Sequence, residues 1–500
     1  VDQRLKTILV LSICLVFVGL NLLLFSHDQF WLLAMPVVIG LLAMLFLDTR
    51  KVLLAAFILT PLSFRITLEN FGISVNVPAE PLVVMLMMIL FLKMMMAKKF
   101  DREVFTHPIT ILLLLNLFWI LITAITSELP LVSVKFFLSR LWYVSVFFFL
   151  TLWLLKKYPT HRYLLFYYAI PMVLLIFYIT FLHAQWGFDR KVGIWIVRPF
   201  FNDHTNYAAT LALVLPFLIV SVFNKQLQLN MRALSAGLCV FFFIGILLSF
   251  SRASWLSLLI ATSVAILLLL KPPRWAIFAG AISILVIGFA MQPQIQQALE
   301  RNPYQSSGDM AQHLRSIANV TTDVSNLERM NRWRAAIRMF QERPVVGWGP
   351  GTYQFVYAPF QLSEDFTIIT TQFGDMGNAH SEYLGPLSES GLPGMLLFMA
   401  LAFFTIYTGT RLFYKGSSSE IKLLALGITL GFVTYFVHGL FNNFLDTDKA
   451  SVPFWSMMAI LVALDVYQQK TLHPQNSATH DTAAEDGFRN SEGLHLESNP

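Results

Sequence analysis

Residues 253–270 read ASWLSLLIATSVAILLLL, eighteen positions without a charge between Arg252 and Lys271. At about 1.5 Å of rise per residue, a helix of that length covers roughly the 30 Å hydrocarbon core of a bilayer. Inside that core only internally hydrogen-bonded helices or closed barrels survive. Working outward, similar apolar blocks lie near residues 5–25, 30–47, 51–64, 81–97, 109–126, 136–155, 163–183, 205–223, 232–250, 275–291, 391–413, 421–440 and 452–468, fourteen in all. The block at 51–64 is short, holds Pro61 and runs into Arg65, so a re-entrant or tilted segment is its alternative reading. The expected fold is an all-α polytopic membrane protein of about 12–14 transmembrane helices. Composition agrees: 56% hydrophobic, 14% aromatic and 13% charged residues exclude a soluble 500-residue domain.

Orientation follows from lysine and arginine. Arg50-Lys51, Lys93 to Arg102, Lys156-Lys157-Arg162, Lys225 to Arg232, Lys271-Arg274 and Arg411 to Lys422 sit at alternate connections, which an inside N-terminus and inside C-terminus satisfy. The net charge of +6 is this topological bias, and nucleic acid is not an expected partner. The first block follows Arg4 and Lys6 without a small-residue cleavage site and reads as a retained helix. Cys14 and Cys239 fall inside separate spans, which gives no disulfide framework or thiolate metal site.

The spans divide the chain into N-terminal helices (1–194), a second helical group (195–290), an outward loop domain (291–390), C-terminal helices (391–468) and a polar tail (469–500) expected to be disordered and cytoplasmic. The long loop is partly helical, and a loop of that size normally carries function. It holds seven Arg, ten acidic residues and no Lys, a selection that suggests oxyanion contacts or fixed ion pairs. Asn326 to Phe340 reads as an amphipathic helix, with Met330, Trp333, Ala336, Ile337 and Phe340 at three- and four-residue spacing. On that wheel Arg329 lies beside Trp333 and Phe340, while Arg334 and Arg338 point away. Arg332 can pair with Glu328, and Arg338 with Glu342. Arg343 to Gly351 is a glycine and proline stop, and a second short helix is expected from Asn378 to Ser390.

Several constellations carry possible chemistry. His380, expected on the first turn of that short helix, can serve as a general base, since a helix N-terminus disfavours its protonated form; the alternative is an interfacial histidine that caps or packs. Arg252 follows a very short connection and lies at the outer boundary, where a charge is costly unless paired or binding something. Otherwise it snorkels. Arg329 faces the membrane side of the loop domain, with an ion pair elsewhere in the loop as its bland role. Arg198, Asn202 and Asn206 belong to a stretch dense in hydrogen-bonding groups, a sugar-binding rim or a helix cap, and Arg140 is a weaker case of an outward charge. Arginine forks clamp a pyrophosphate and stabilise its charge as it leaves, while a neutral histidine takes the proton of an attacking hydroxyl. No carboxylate cluster accompanies them, so the scheme needs neither metal nor cofactor.

At these residues the chain resembles the O-antigen ligase and polymerase superfamily of bacterial membrane glycosyltransferases. The ligase motif is His, then Asn, Ser or Gln, nine residues, and Gly-x-x-Gly followed by Thr or Val; His380, Ser381, Gly391 and Gly394 match, and Met395 departs. Glu328-Arg329 to Trp333, Arg343-Pro344, Gly347-Trp348-Gly349 and Ser251-Arg252 resemble further family elements. Arg198 to Asn206 does as well, with Asp203-His204 where members often carry Pro-Asn. The resemblance implies a glycan donor on undecaprenyl pyrophosphate at the periplasmic face of the bacterial inner membrane. It implies Arg252 and Arg329 on the pyrophosphate and His380 activating the acceptor for inverting, metal-independent attack; Arg198, Asn202, Asn206, Arg140, Ser381 and Glu382 are the candidate substrate-binding residues beside them. Lipid A-core is the acceptor in ligases, a second lipid-linked repeat in polymerases and a protein hydroxyl in related oligosaccharyltransferases. A flippase or other transporter is the rival of a different class, expected to keep ionisable groups near mid-membrane.

Overall fold

The structure, a computed structural model, describes residues 48–68, 73–96, 101–271, 324–366, 370 and 377–469, together with Leu20. The apolar blocks at 5–25, 30–47 and 275–291, the first part of the outward loop and the polar tail lie outside the described residues. Among the described residues ten helices are long and apolar enough to cross a membrane, and the chain is an all-α polytopic membrane protein. In chain order the first elements are α1 (Thr49–Leu59), β1 (Phe64–Leu68), β2 (Ile73–Val77), α2 (Ala79–Met96) and α3 (Pro108–Ile125). There follow α4 (Pro130–Lys157, with a π-helical stretch at Ser145–Leu150), α5 (Leu165–Gln185), α6 (His204–Phe223), α7 (Leu229–Leu248) and α8 (Arg252–Leu270). Beyond the long loop's start come α9 (Val324–Glu342), α10 (Leu384–Lys415), α11 (Ser419–His438) and α12 (Asp448–Gln469).

The short block at 51–64 is not a span. Its helix stops at Leu59 and the chain turns through Pro61 into an antiparallel hairpin, with Phe64 opposite Val77 and Leu68 opposite Ile73. Eleven residues rise only about 16 Å. The segments FRITL and ISVNV are short and rich in β-branched residues, a strand signal that a hydropathy window averages away.

The core sits where α6, α11 and α12 meet. Nearly all of the α12 span is buried (94%), whereas α8 buries 17% of its span and faces outward. Close approach of α6 and α11 rests on Gly431, where a Cβ would stand 2.4 Å from the Leu213 carbonyl oxygen. Thr434 Oγ1 donates to the Ala212 carbonyl across the same seam at 3.0 Å, the small-residue and hydroxyl packing that joins helices without a hydrophobic driving force between them.

The basic connections collect at one end, tied by Lys156 Nζ to Asp101 at 2.6 Å, Tyr163 to Glu420 at 2.7 Å and Arg50 over the Tyr158 ring. At the opposite end the β hairpin, the start of α6, the start of α8, α9 and the α11–α12 connection come together. Arg140 joins Asp446 there at 2.8 Å and Arg343 joins Glu128 at 2.8 Å.

Candidate active site

The loop helix α9 is held by a small core of its own, in which Ala335, Ala336 and Met339 pack with Tyr353, Tyr357 and Ala379. Arg332 pairs with Glu328 at 2.8 Å as the spacing requires, and its Nη1 donates to the Asn378 carbonyl at 3.3 Å. Arg338 does not use Glu342. Both Arg338, at 2.9 Å, and Arg334 pair with Asp365, a carboxylate distant in sequence that two successive helical turns can share.

The glycine-rich turn after α9 does more than stop a helix. Trp348 N and Gly349 N donate to the Ser388 and Glu389 carbonyls at 3.1 and 2.8 Å, and Leu392 N donates to Pro344 O at 2.9 Å. These bonds cross a break in α10 at Gly391, whose φ of 68° and approach to the Val345 carbonyl, 2.1 Å from a built Cβ, admit no side chain.

This docking delivers His380, by a route that differs from the expected one. The helix begins at Leu384, not Asn378. Ser381 Oγ accepts from Tyr383 N and Leu384 N, at 3.2 and 3.3 Å, and is the capping side chain. Asn378 instead folds its Oδ1 back onto His380 N at 3.0 Å, an Asx turn. His380 therefore stands on a left-handed bend, φ 47°, ahead of the helix and not on its first turn. Asx-turn formation outcompeted helix initiation there, because both use the same short amide side chain.

The imidazole of His380 meets Asn442 Oδ1 through Nδ1 at 3.3 Å. A carbonyl oxygen only accepts, so Nδ1 carries the proton and Nε2 presents its lone pair. Burial, then the charges of Arg332 and Arg329, depress its pKa from 6.5 to about 4. His380 is a free base at neutral pH. Trp333 Nε1 reaches its carbonyl at 3.3 Å and keeps α9 against the bend.

Arg329 acts electrostatically on His204 and His438 as well as His380, and Asp203 acts on the same three. Five segments thus bring three imidazoles, two guanidiniums and Asn442 to one place. His438 is fully buried, and neither ring nitrogen has a hydrogen-bond partner among the described residues. Arg252 opens α8 at the same end, where α8 packs against α11.

The remaining predicted residues divide. Glu382 is committed to architecture: buried, its Oε1 accepts from Tyr435 OH at 2.6 Å, Phe444 N at 2.7 Å and Leu445 N at 3.0 Å. Burial raises its pKa. Arg140, packed over Trp455 and paired with Asp446, likewise holds the α11–α12 connection. Asn206 is buried and donates to Thr447 Oγ1 at 3.3 Å, while Arg198 and Asn202 are exposed and linked by Arg198 Nε to Asn202 O at 3.3 Å. Asn202 and Asn206 line a cavity of about 230 Å³ beside the cluster.

Asn442, His438 and Arg332 escaped the sequence reading as site residues. The signal was present in His438 to Lys449, where one histidine, two asparagines, two aspartates and a lysine fall in or at the ends of a nine-residue connection between spans at 439–447.

The fold and site define a polytopic helical membrane protein in which an extramembranous arginine helix closes over span ends bearing histidine. Residues 237–399 match the family model described as O-antigen ligase, from within α7 through α8, α9 and His380 to the Gly391–Gly394 turn. Over those residues, about a third of the chain, the protein is similar to the O-antigen ligase family. No curated protein matches the chain.

Proposed function

We propose that this protein transfers a glycan from undecaprenyl pyrophosphate to an acceptor hydroxyl at the periplasmic face of the bacterial inner membrane, and that it ligates polysaccharide to lipid A-core. The observation that carries the reading is His380, a neutral base whose Nδ1–H is tied to Asn442 while Nε2 stays available beside arginines. In the reaction the acceptor oxygen forms its bond to the anomeric carbon as the bond to the pyrophosphate oxygen breaks, with inversion. His380 Nε2 takes the hydroxyl proton, and the leaving pyrophosphate keeps the electron pair against Arg329 and Arg252, with Arg198 at the rim. Burial first, and then the arginine charges, hold His380 weakly basic; the incoming anion offsets the arginine part, so donor binding itself strengthens the base. Asn202 and Asn206 contact the substrates, with Arg140, Ser381 and Glu382 shaping the ground beneath them. No metal or cofactor enters this scheme.

Met395 at the end of the ligase motif favours one further reading, polymerisation of lipid-linked repeats; transfer to a protein hydroxyl is the third acceptor of the same chemistry. Deleting the gene and resolving the surface glycan by gel separates them. Long lipid-linked chains left unattached to core support the ligase, core bearing a single repeat supports the polymerase, and an unchanged glycan refutes both.

A further inference from the structure

The cavity beside the histidine cluster has a charge pattern that the transfer scheme does not use. Its walls come from the β hairpin, α2, α4, the stretch before α6 and the α11–α12 connection. Every carboxylate in the lining is engaged. Glu80 accepts from Asn76 Nδ2 at 2.7 Å and Asn76 N at 3.1 Å, Asp446 binds Arg140 at 2.8 Å, and Asp448 holds Ser63 and the buried Lys449. Two other cations of the lining, Arg65 on β1 and Lys135 on α4, are exposed and make no ion pair with any described residue. An enclosure whose two aspartates are paired with cations, whose Glu80 is held by Asn76 and whose lining carries Arg65 and Lys135 besides selects anions at those two cations. Its remaining surfaces suit a saccharide. Trp142 and Phe200 offer aromatic walls for the C–H face of a sugar ring, and Asn76, Ser139 and Asn202 offer hydroxyl partners.

We propose that this cavity is a subsite for an acidic sugar, whose carboxylate or phosphate ester lies against Arg65 and Lys135 while its ring stacks on Trp142. The segment Asn442–Lys449 serves both places, since Asn442 orients His380 and Asp446 to Lys449 line the cavity. A charged sugar seated here sets the register of the glycan whose neighbouring unit reacts. That consequence rests on the glycosyl-transfer reading. The binding itself does not.

The test is ligand-observed NMR on the full chain in lipid nanodiscs, titrated separately with glucuronate, glucose 6-phosphate, glucose and inorganic phosphate. One or both acidic sugars should bind about tenfold tighter than glucose, the scale of two exposed charge contacts. The double variant Arg65→Gln with Lys135→Gln should lose that preference, and His380→Ala should keep it. Preference for glucuronate assigns a uronic acid and preference for glucose 6-phosphate a phosphorylated sugar; either supports the subsite. Glucose binding as tightly as the acidic sugars, inorganic phosphate binding as tightly as they do, or an unchanged preference in the double variant overturns it. Wild-type protein that shows the preference yet transfers no glycan sinks the functional reading and leaves the subsite standing.

Discussion

Replacing Glu382 by alanine tests how the site is held together. The carboxylate oxygen Oε1 is the common acceptor for Tyr435 OH and for the backbone N–H groups of Phe444 and Leu445. All three lie in a buried setting. A buried donor left unmet costs about 1–3 kcal/mol. Truncation opens room for water, so the lower end applies, and three donors give a destabilisation of about 3 kcal/mol. The same three bonds fix the connection that carries Asn442, which in turn holds the His380 Nδ1–H. Glu382→Ala should therefore lower the unfolding temperature in detergent and reduce the rate of glycan transfer more than it weakens substrate binding. Glu382→Gln keeps a carbonyl oxygen at the same reach and should cost about 1 kcal/mol or less. Thermal unfolding by intrinsic fluorescence, beside an in vitro transfer assay, reads both effects. An alanine variant with wild-type unfolding and wild-type transfer refutes the reasoning. So does a glutamine variant as damaged as the alanine one, since charge and not acceptor geometry would then be the cause.

Three further outcomes are expected. His380→Ala and Arg252→Ala should each abolish transfer in protein that still folds into the membrane, and full activity in either contradicts the mechanism. His380 in the folded protein protonates only near pH 4, so kcat/KM should stay level from pH 8 to pH 6 and fall only on approach to 4. The profile of kcat should break at a higher pH because bound pyrophosphate offsets the arginines; a break in kcat/KM near 6.5 would show that the imidazole is not shielded. Its linked stability has the same sign. The unfolded chain takes up the proton near 6.5 and the folded chain near 4, so stability is full above that window and declines through it as pH falls. Finally, a chelator should leave purified enzyme active, and activity lost to chelator and restored by magnesium would oppose the metal-free scheme.

The sequence by itself determined the helical membrane fold, because span length, apolar continuity and the placement of lysine and arginine are local or additive properties. The ten described spans and the single basic end follow from them. It also singled out Arg329 from helical phase, which depends only on spacing, and the Arg332–Glu328 pair for the same reason. Local reading failed where two local preferences competed. The hairpin Phe64–Val77 was hidden by averaged hydropathy, and Asn378 took an Asx turn in place of a helix cap.

Only the tertiary structure decided which polar groups are tied into the architecture. Glu382, Arg140 and Arg338 each find a partner in a segment distant along the chain. His438 and Asn442 carry no mark of their own, and they matter because α11 ends beside the bend at His380. Partnership in three dimensions depends on contacts between segments tens to hundreds of residues apart. No periodicity within one segment encodes them.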